Sequence, residues 1–106
     1  PIALATNLNP GSAMSENVGL TLSLACLKLR LTPAEALGAF TAGGARALRQ
    51  PDLGRVARGA EADLVLLGCG SPEHLAWHMA VNHALVVVKH GRVVHEAPPA
   101  AMVDCR

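Results

Sequence analysis

A chain of 106 residues is one domain or part of one, and half of it is apolar while only 2% is aromatic, so Leu, Ala and Val must build its interior. The net charge is +1 and the nine Lys and Arg residues are scattered, which excludes a basic nucleic-acid face and a polybasic membrane patch. Three cysteines, Cys26, Cys69 and Cys105, stand far apart without CxxC spacing, which argues against a disulfide scaffold and a cysteine zinc site and fits a reducing cytoplasm.

The chain starts at Pro1 and runs at once into Pro1 to Thr6, a short apolar run that reads as a strand buried on both faces. Such a start reads as the cut end of something longer. Asn7-Leu8-Asn9-Pro10-Gly11-Ser12 follows as a turn-forming cluster, with Asn9 held extended by Pro10 and Gly11 free to take positive φ. A helix is expected next, with Ser15 as N-cap and Glu16 against the positive end of the dipole. Leu20, Leu24, Leu27 and Leu31 recur at helical spacing and define one apolar face. Leu22 and Leu29 add apolar surface elsewhere, so this helix is expected to be covered on more than one side. No apolar run reaches the ~20 residues that span a bilayer.

Thr32-Pro33-Ala34-Glu35 reads as a capping box with proline in the first turn. The helix it opens carries Ala36, Leu37 and Phe40 inward, and Gly43-Gly44 is expected to break or kink it before a last turn from Ala45 to Leu48. Pro51 to Gly54 reads as a turn and Asp63 to Leu67 as a strand. Pro72 to Met79 reads as a short helix with Ser71 as N-cap and Pro72 at its first position. Leu85 to Val88 and Arg92 to His95 read as two strands joined through Lys89-His90-Gly91, a tight hairpin of undetermined turn type. The tail over residues 97–106 has two prolines at Pro98 and Pro99 and no periodicity, and reads as disordered. A buried strand followed at once by helices needs neighbouring strands to satisfy its backbone, and the chain supplies none.

Three stretches together resemble the imidazolonepropionase family of metal-dependent amidohydrolases. Ala3 to Ser12 is similar to the strand-eight segment, whose pattern is Asp, any residue, then Asn-Pro-Gly-Ser or Thr. Leu31 to Leu37 with Ala45 to Leu48 resembles the helices that follow. Gly54 to Gly59, Ala62 to Leu66 and Val88 to Val94 resemble the return to a small β-sandwich, and Val81-Asn82-His83 is a narrower match before the last strands.

The resemblance implies an α/β fold. Residues 1–50 would be the C-terminal end of a (β/α)₈ barrel, residues 51–96 part of a small β-sandwich domain, and residues 97–106 a tail. It implies hydrolysis of 4-imidazolone-5-propanoate to N-formimidoyl-L-glutamate in histidine degradation, in the cytoplasm. One divalent metal, zinc or iron, sits at the C-terminal ends of the barrel strands in that family, lowering the pKa of a bound water. A homodimer is implied in the same way. By resemblance Asn7 occupies the position of the catalytic and metal-ligating Asp, and Asn9, Gly11 and Ser12 occupy positions that bind substrate. Here the chain departs from the pattern, because an Asn amide is neutral and accepts no proton at useful pH. The upstream His-x-His pair and further His ligand are absent, so the chain is expected to be inactive alone. Two other readings stay open: an amidohydrolase acting on a different cyclic amide or amidine, and a non-catalytic relative with a degenerate metal site.

The remaining polar residues carry blander expectations. His74 and His78 stand four apart on a helix, yet neither a zincin glutamate nor a third ligand accompanies them, so packing or solvent exposure is expected. His83 is expected near a turn, His90 and His95 on the surface, and Cys26 as a small buried hydrophobe.

Overall fold

The computed structural model describes residues 1–98; the reading of the tail as disordered falls outside these residues from position 99 onward. The protein is a mixture of helices and a small antiparallel sheet. Its elements run α1 (Val18–Leu29), α2 (Pro33–Gly38), a π-helical segment (Ala39–Gly43), α3 (Gly44–Ala47), β1 (Leu64–Leu67), α4 (Pro72–Trp77), β2 (Ala84–Lys89) and β3 (Arg92–Glu96). Among the described residues no helix is long and apolar enough to cross a membrane.

Asn17, not Ser15, caps α1: its Oδ1 accepts from the Leu20 amide at 2.8 Å. The Ser15 hydroxyl serves Asn17 itself, accepting its amide at 3.1 Å. Both residue types cap well, and Asn17 wins because it lies directly before the apolar run and its amide also reaches the Ala80 carbonyl, 3.1 Å away beyond α4. The buried face of α1 differs from the expected stripe too. Leu22, Ser23 and Ala25 are buried, whereas Leu24 and Leu27 remain 42% and 65% exposed. Both sides of the helix are apolar, and periodicity alone does not choose between them. The side with the smaller residues wins here because Ala25 and Ser23 let α4 come close, the Ser23 hydroxyl lying 2.5 Å from the Ala76 carbonyl and 3.0 Å from that of Gly19. A buried hydroxyl is thereby satisfied.

The core lies where α1, α2 and α4 meet, with Leu22, Ala25, Ala36 and Leu75 at its centre and Leu31, Leu37, Phe40, Cys26 and Leu67 packed around them. The capping box forms as expected: the Thr32 hydroxyl oxygen accepts from the Glu35 amide at 3.2 Å, and the Glu35 carboxylate accepts from the Thr32 amide at 2.8 Å. These bonds from the Thr32 backbone and side chain hold the Glu35 carboxyl below its ordinary pKa. The helix does not break at the glycine pair. It widens into the π turn Ala39–Gly43 and then resumes.

Residues 1–6 do not form a strand. Among the described residues no strand lies beside them, so the ladder a strand needs is missing. The segment lies instead against the π turn, with the Leu4 amide donating to the Ala39 carbonyl at 3.1 Å. Gly43 permits this approach, since a Cβ there would collide with the Ile2 carbonyl oxygen. At α4, Ser71 holds the N-cap position without capping through its side chain. The Glu73 carboxyl is held low by its own backbone amide and then by the Ser71 hydroxyl.

The sheet has the order β1-β2-β3, antiparallel throughout, with Val65 opposite Val87 and Val87 opposite His95. His90 (φ 50°) and Gly91 (φ 76°) make the β2–β3 turn, and positive φ at both central residues is the type I′ geometry that matches strand twist. Its tip is tied back to the approach to β1. Lys89 Nζ lies 2.6 Å from Asp63 Oδ2, the His90 amide donates to Asp63 Oδ1 at 2.9 Å, and His90 Nδ1 meets Glu61 Oε1 at 2.5 Å. His90 and His95 are exposed, as expected.

Replacing Gly43→Ala should destabilise the chain by about 1–3 kcal/mol through the forced clash with the residue 2 carbonyl, read as a lower midpoint in urea unfolding. A second expectation concerns the hairpin tip. The Lys89 ammonium, then the His90 amide, hold the Asp63 carboxyl below its ordinary pKa. The stabilisation this represents is present above that ordinary value and is lost as pH falls through the lower folded one. The stability gap between the native chain and Asp63→Asn should therefore shrink on acidification from about pH 7 to about pH 3, as followed by thermal melts.

Candidate functional site

The loop from Asn7 to Ser12 hangs from the segment that the π turn anchors. Asn7 takes the left-handed conformation, φ 52°, which Asn and Asp tolerate best among residues with a side chain. Asn9 and Ala13 then close a small antiparallel bridge, the Asn9 amide donating to the Ala13 carbonyl at 2.8 Å and the reverse bond measuring 3.3 Å. Pro10, Gly11 and Ser12 make the turn between them. The four positions singled out in the sequence are thus brought onto one short exposed loop, with only Asn9 half-buried.

Within it the Asn9 carboxamide is the hub. Its Oδ1 accepts from the Gly11 amide at 2.9 Å, from the Ser12 amide at 2.9 Å and from the Ser12 hydroxyl at 3.3 Å. Its Nδ2 donates to the Asn7 carbonyl at 2.6 Å. The backbone amides of Gly11 and Ser12 are therefore turned inward onto Asn9. The Asn9 carboxamide nitrogen carries a second hydrogen beyond the one given to the Asn7 carbonyl.

This loop does not make a metal centre from the residues described. Asn7 offers one neutral amide oxygen, and no cluster of His, Cys, Asp or Glu lies beside it among the described residues. Among the described residues, the one group whose ligand atoms lie within 4.8 Å of one another is Glu61, Asp63 and His90, all exposed. The Lys89 ammonium already sits against Asp63 there, so the cluster works as the fastening of the hairpin tip.

A second gathering of polar side chains lies at the end of α4. His74 and His78 meet edge to face with ring centroids 6.0 Å apart, His78 and His83 likewise at 5.7 Å, and the exposed Trp77 lies 5.7 Å from His78. Burial, followed by the charges of His78 and His74, pushes the His83 pKa below its ordinary value. Sequence spacing had paired only His74 and His78; the turn at Met79 and Ala80, with Ala80 at φ 63°, is what folds His83 back. The cap Asn17 also escaped the sequence reading, although an Asn immediately before an apolar helical run is itself the available signal.

No protein-family model matches the chain. Curated relatives do. The chain is 94% identical over all 106 residues to the imidazolonepropionase of Anaeromyxobacter dehalogenans strain 2CP-C. It is 52% identical over 92 residues, 87% of its length, to that of Myxococcus xanthus, and 44% identical over 93 residues, 88% of its length, to that of Mycolicibacterium smegmatis. It spans about a quarter of the length of these relatives: 25%, 22% and 24% respectively. The sequence belongs to the imidazolonepropionase family, of which it matches one segment.

The lowered His83 pKa carries a sign. The unfolded chain takes up a proton there at higher pH than the folded chain does, so stability falls as pH drops below the ordinary histidine value and levels off below the folded one. His83→Asn should flatten that fall, seen as a smaller difference in Tm between about pH 7.5 and about pH 5.

Proposed function

We propose that the chain is the C-terminal quarter of an imidazolonepropionase, the hydrolase that opens the ring of 4-imidazolone-5-propanoate to give N-formimidoyl-L-glutamate in histidine degradation. The observation that carries this reading is the 94% identity over the whole chain to a protein of that name. In it residues 1–50 complete a (β/α)₈ barrel and residues 51–96 belong to a small β-sandwich. The loop Asn7–Ser12 then lies at the C-terminal ends of the barrel strands, where barrel active sites are built. The exposed apolar faces agree with a piece that packs against more protein: Leu24, Leu27 and Leu29 on α1, and Val65, Leu66, Val93 and Val94 on the sheet.

On this reading Asn9, Gly11 and Ser12 hold the carboxylate end of the substrate. An amide hydrogen, backbone N–H groups and a hydroxyl are suitable donors to it. Position 7 faces the reacting end. A divalent metal, zinc or iron, is implied for the intact protein, but the residues here supply at most the Asn7 amide oxygen to it, and no step of the chemistry is assigned to this segment through a metal. What the chain's own residues do is bind and orient. Asn7 cannot take a proton, so proton transfer by this loop requires an acid at that position.

The test uses the full-length Anaeromyxobacter dehalogenans enzyme with these 106 residues in place of its matching segment. Turnover of 4-imidazolone-5-propanoate is expected from that chimera and not from the 106-residue chain alone. Asn7→Asp in the chimera should raise kcat by roughly 10²–10⁴-fold, the usual worth of a positioned general base. Unchanged turnover in Asn7→Asp would remove position 7 from the proton-transfer role.

A further inference from the structure

We propose that Asn9 is a positioning residue, whose side-chain carbonyl holds Gly11 and Ser12 in the shape the substrate meets; this deepens the function proposed above and rests on it. Three donors converge on one oxygen, the Gly11 amide and the Ser12 amide at 2.9 Å each and the Ser12 hydroxyl at 3.3 Å. The opposite end of the same carboxamide is fixed by its 2.6 Å bond to the Asn7 carbonyl. A planar amide held at both ends has no remaining rotamer freedom, so the path of Pro10 to Ser12 is set relative to Asn7 by one side chain. Gly11 belongs to the same device, because a Cβ at that position would come within 3.3 Å of Asn9 Oδ1 and press on the oxygen that receives the loop's donors.

The arrangement suits the carboxylate of the substrate proposed above. The two backbone amides form a pair of adjacent donors that already hold an oxygen acceptor. A substrate carboxylate oxygen is the group of the same kind that would compete for them, at the gain of a charge-assisted bond. The Asn9 oxygen therefore serves as the resident acceptor that keeps both amides aimed together until an anionic substrate arrives. A contact residue with no organising part would touch the ligand through its amide hydrogens alone and would leave the oxygen free for water.

Amide hydrogen exchange of the ligand-free chimera, followed on peptides covering residues 8–14, reads this without any turnover. Asn9→Leu keeps the size of the side chain but removes the acceptor, and should raise exchange at Gly11 and Ser12 roughly fivefold, the worth of one ordinary hydrogen bond. Asn9→Asp keeps an acceptor for both amides while losing the Nδ2 donor to the Asn7 carbonyl, and should restore slow exchange in part. Equal exchange in the native and Asn9→Leu proteins, or an Asn9→Asp protein as fast as Asn9→Leu, overturns the proposal. In steady-state kinetics Asn9→Leu should raise KM roughly tenfold while kcat changes little, and Ser12→Ala added to it should cost less than Ser12→Ala alone. Full additivity of those two changes also overturns it. A chimera that turns over no imidazolonepropionate refutes the proposed function and leaves the exchange result to decide on Asn9.

Discussion

The close approach of three short helices around two alanines governs the helical half of this structure. Ala36 is wholly buried and Ala25 nearly so, and neither position has room for a larger side chain while α1, α2 and α4 remain in contact. Two polar ties lock that contact: the Ser23 hydroxyl against the Ala76 carbonyl and the Asn17 amide against the Ala80 carbonyl. The first satisfies a hydroxyl that burial would otherwise strand, and the second ties the N-cap of α1 to the exposed turn beyond α4. Through them the position of α4, and with it the return of the chain into β2, depends on the face that α1 turns inward.

That choice of face leaves the opposite one bare. The leucines at positions 24 and 27 lie on the side of α1 away from α2 and α4, and the sheet likewise exposes Leu66 and Val94. Such surfaces are costly to leave in water, at ~25 cal/mol per Å² of apolar area. A helix that is apolar on two sides is suited to the middle layer of a larger packing, with one layer contributed by its own sequence neighbours.

Local chemistry was legible in the sequence where it was self-contained. The capping box at Thr32 and Glu35 needs only residues three apart, and the β2–β3 hairpin needs only a glycine and two β-branched runs, so both formed as read. The strand expected at residues 1–6 failed for the opposite reason: a strand is a relation between segments, and the ladder that would complete it is absent from the described residues. The stripe on α1 was a true apolar face, but the sequence did not say which of two faces its partners would choose. At the loop, the grouping of Asn7, Asn9, Gly11 and Ser12 was visible as a motif. The inward turn of the Gly11 and Ser12 amides onto Asn9 was not, because it depends on the three-dimensional closure of Asn9 against Ala13.

The left-handed backbone at Asn7 has an evolutionary consequence. Asn and Asp are nearly the same size and share a tolerance for that conformation, so the fold discriminates little between them. An exchange of one for the other leaves the loop's shape and the helices behind it alone while it adds or removes a charge and a proton acceptor. Drift at this position is therefore invisible to any selection that acts through folding or abundance. What such an exchange alters is the charge that the loop presents, and nothing that the packed helices register.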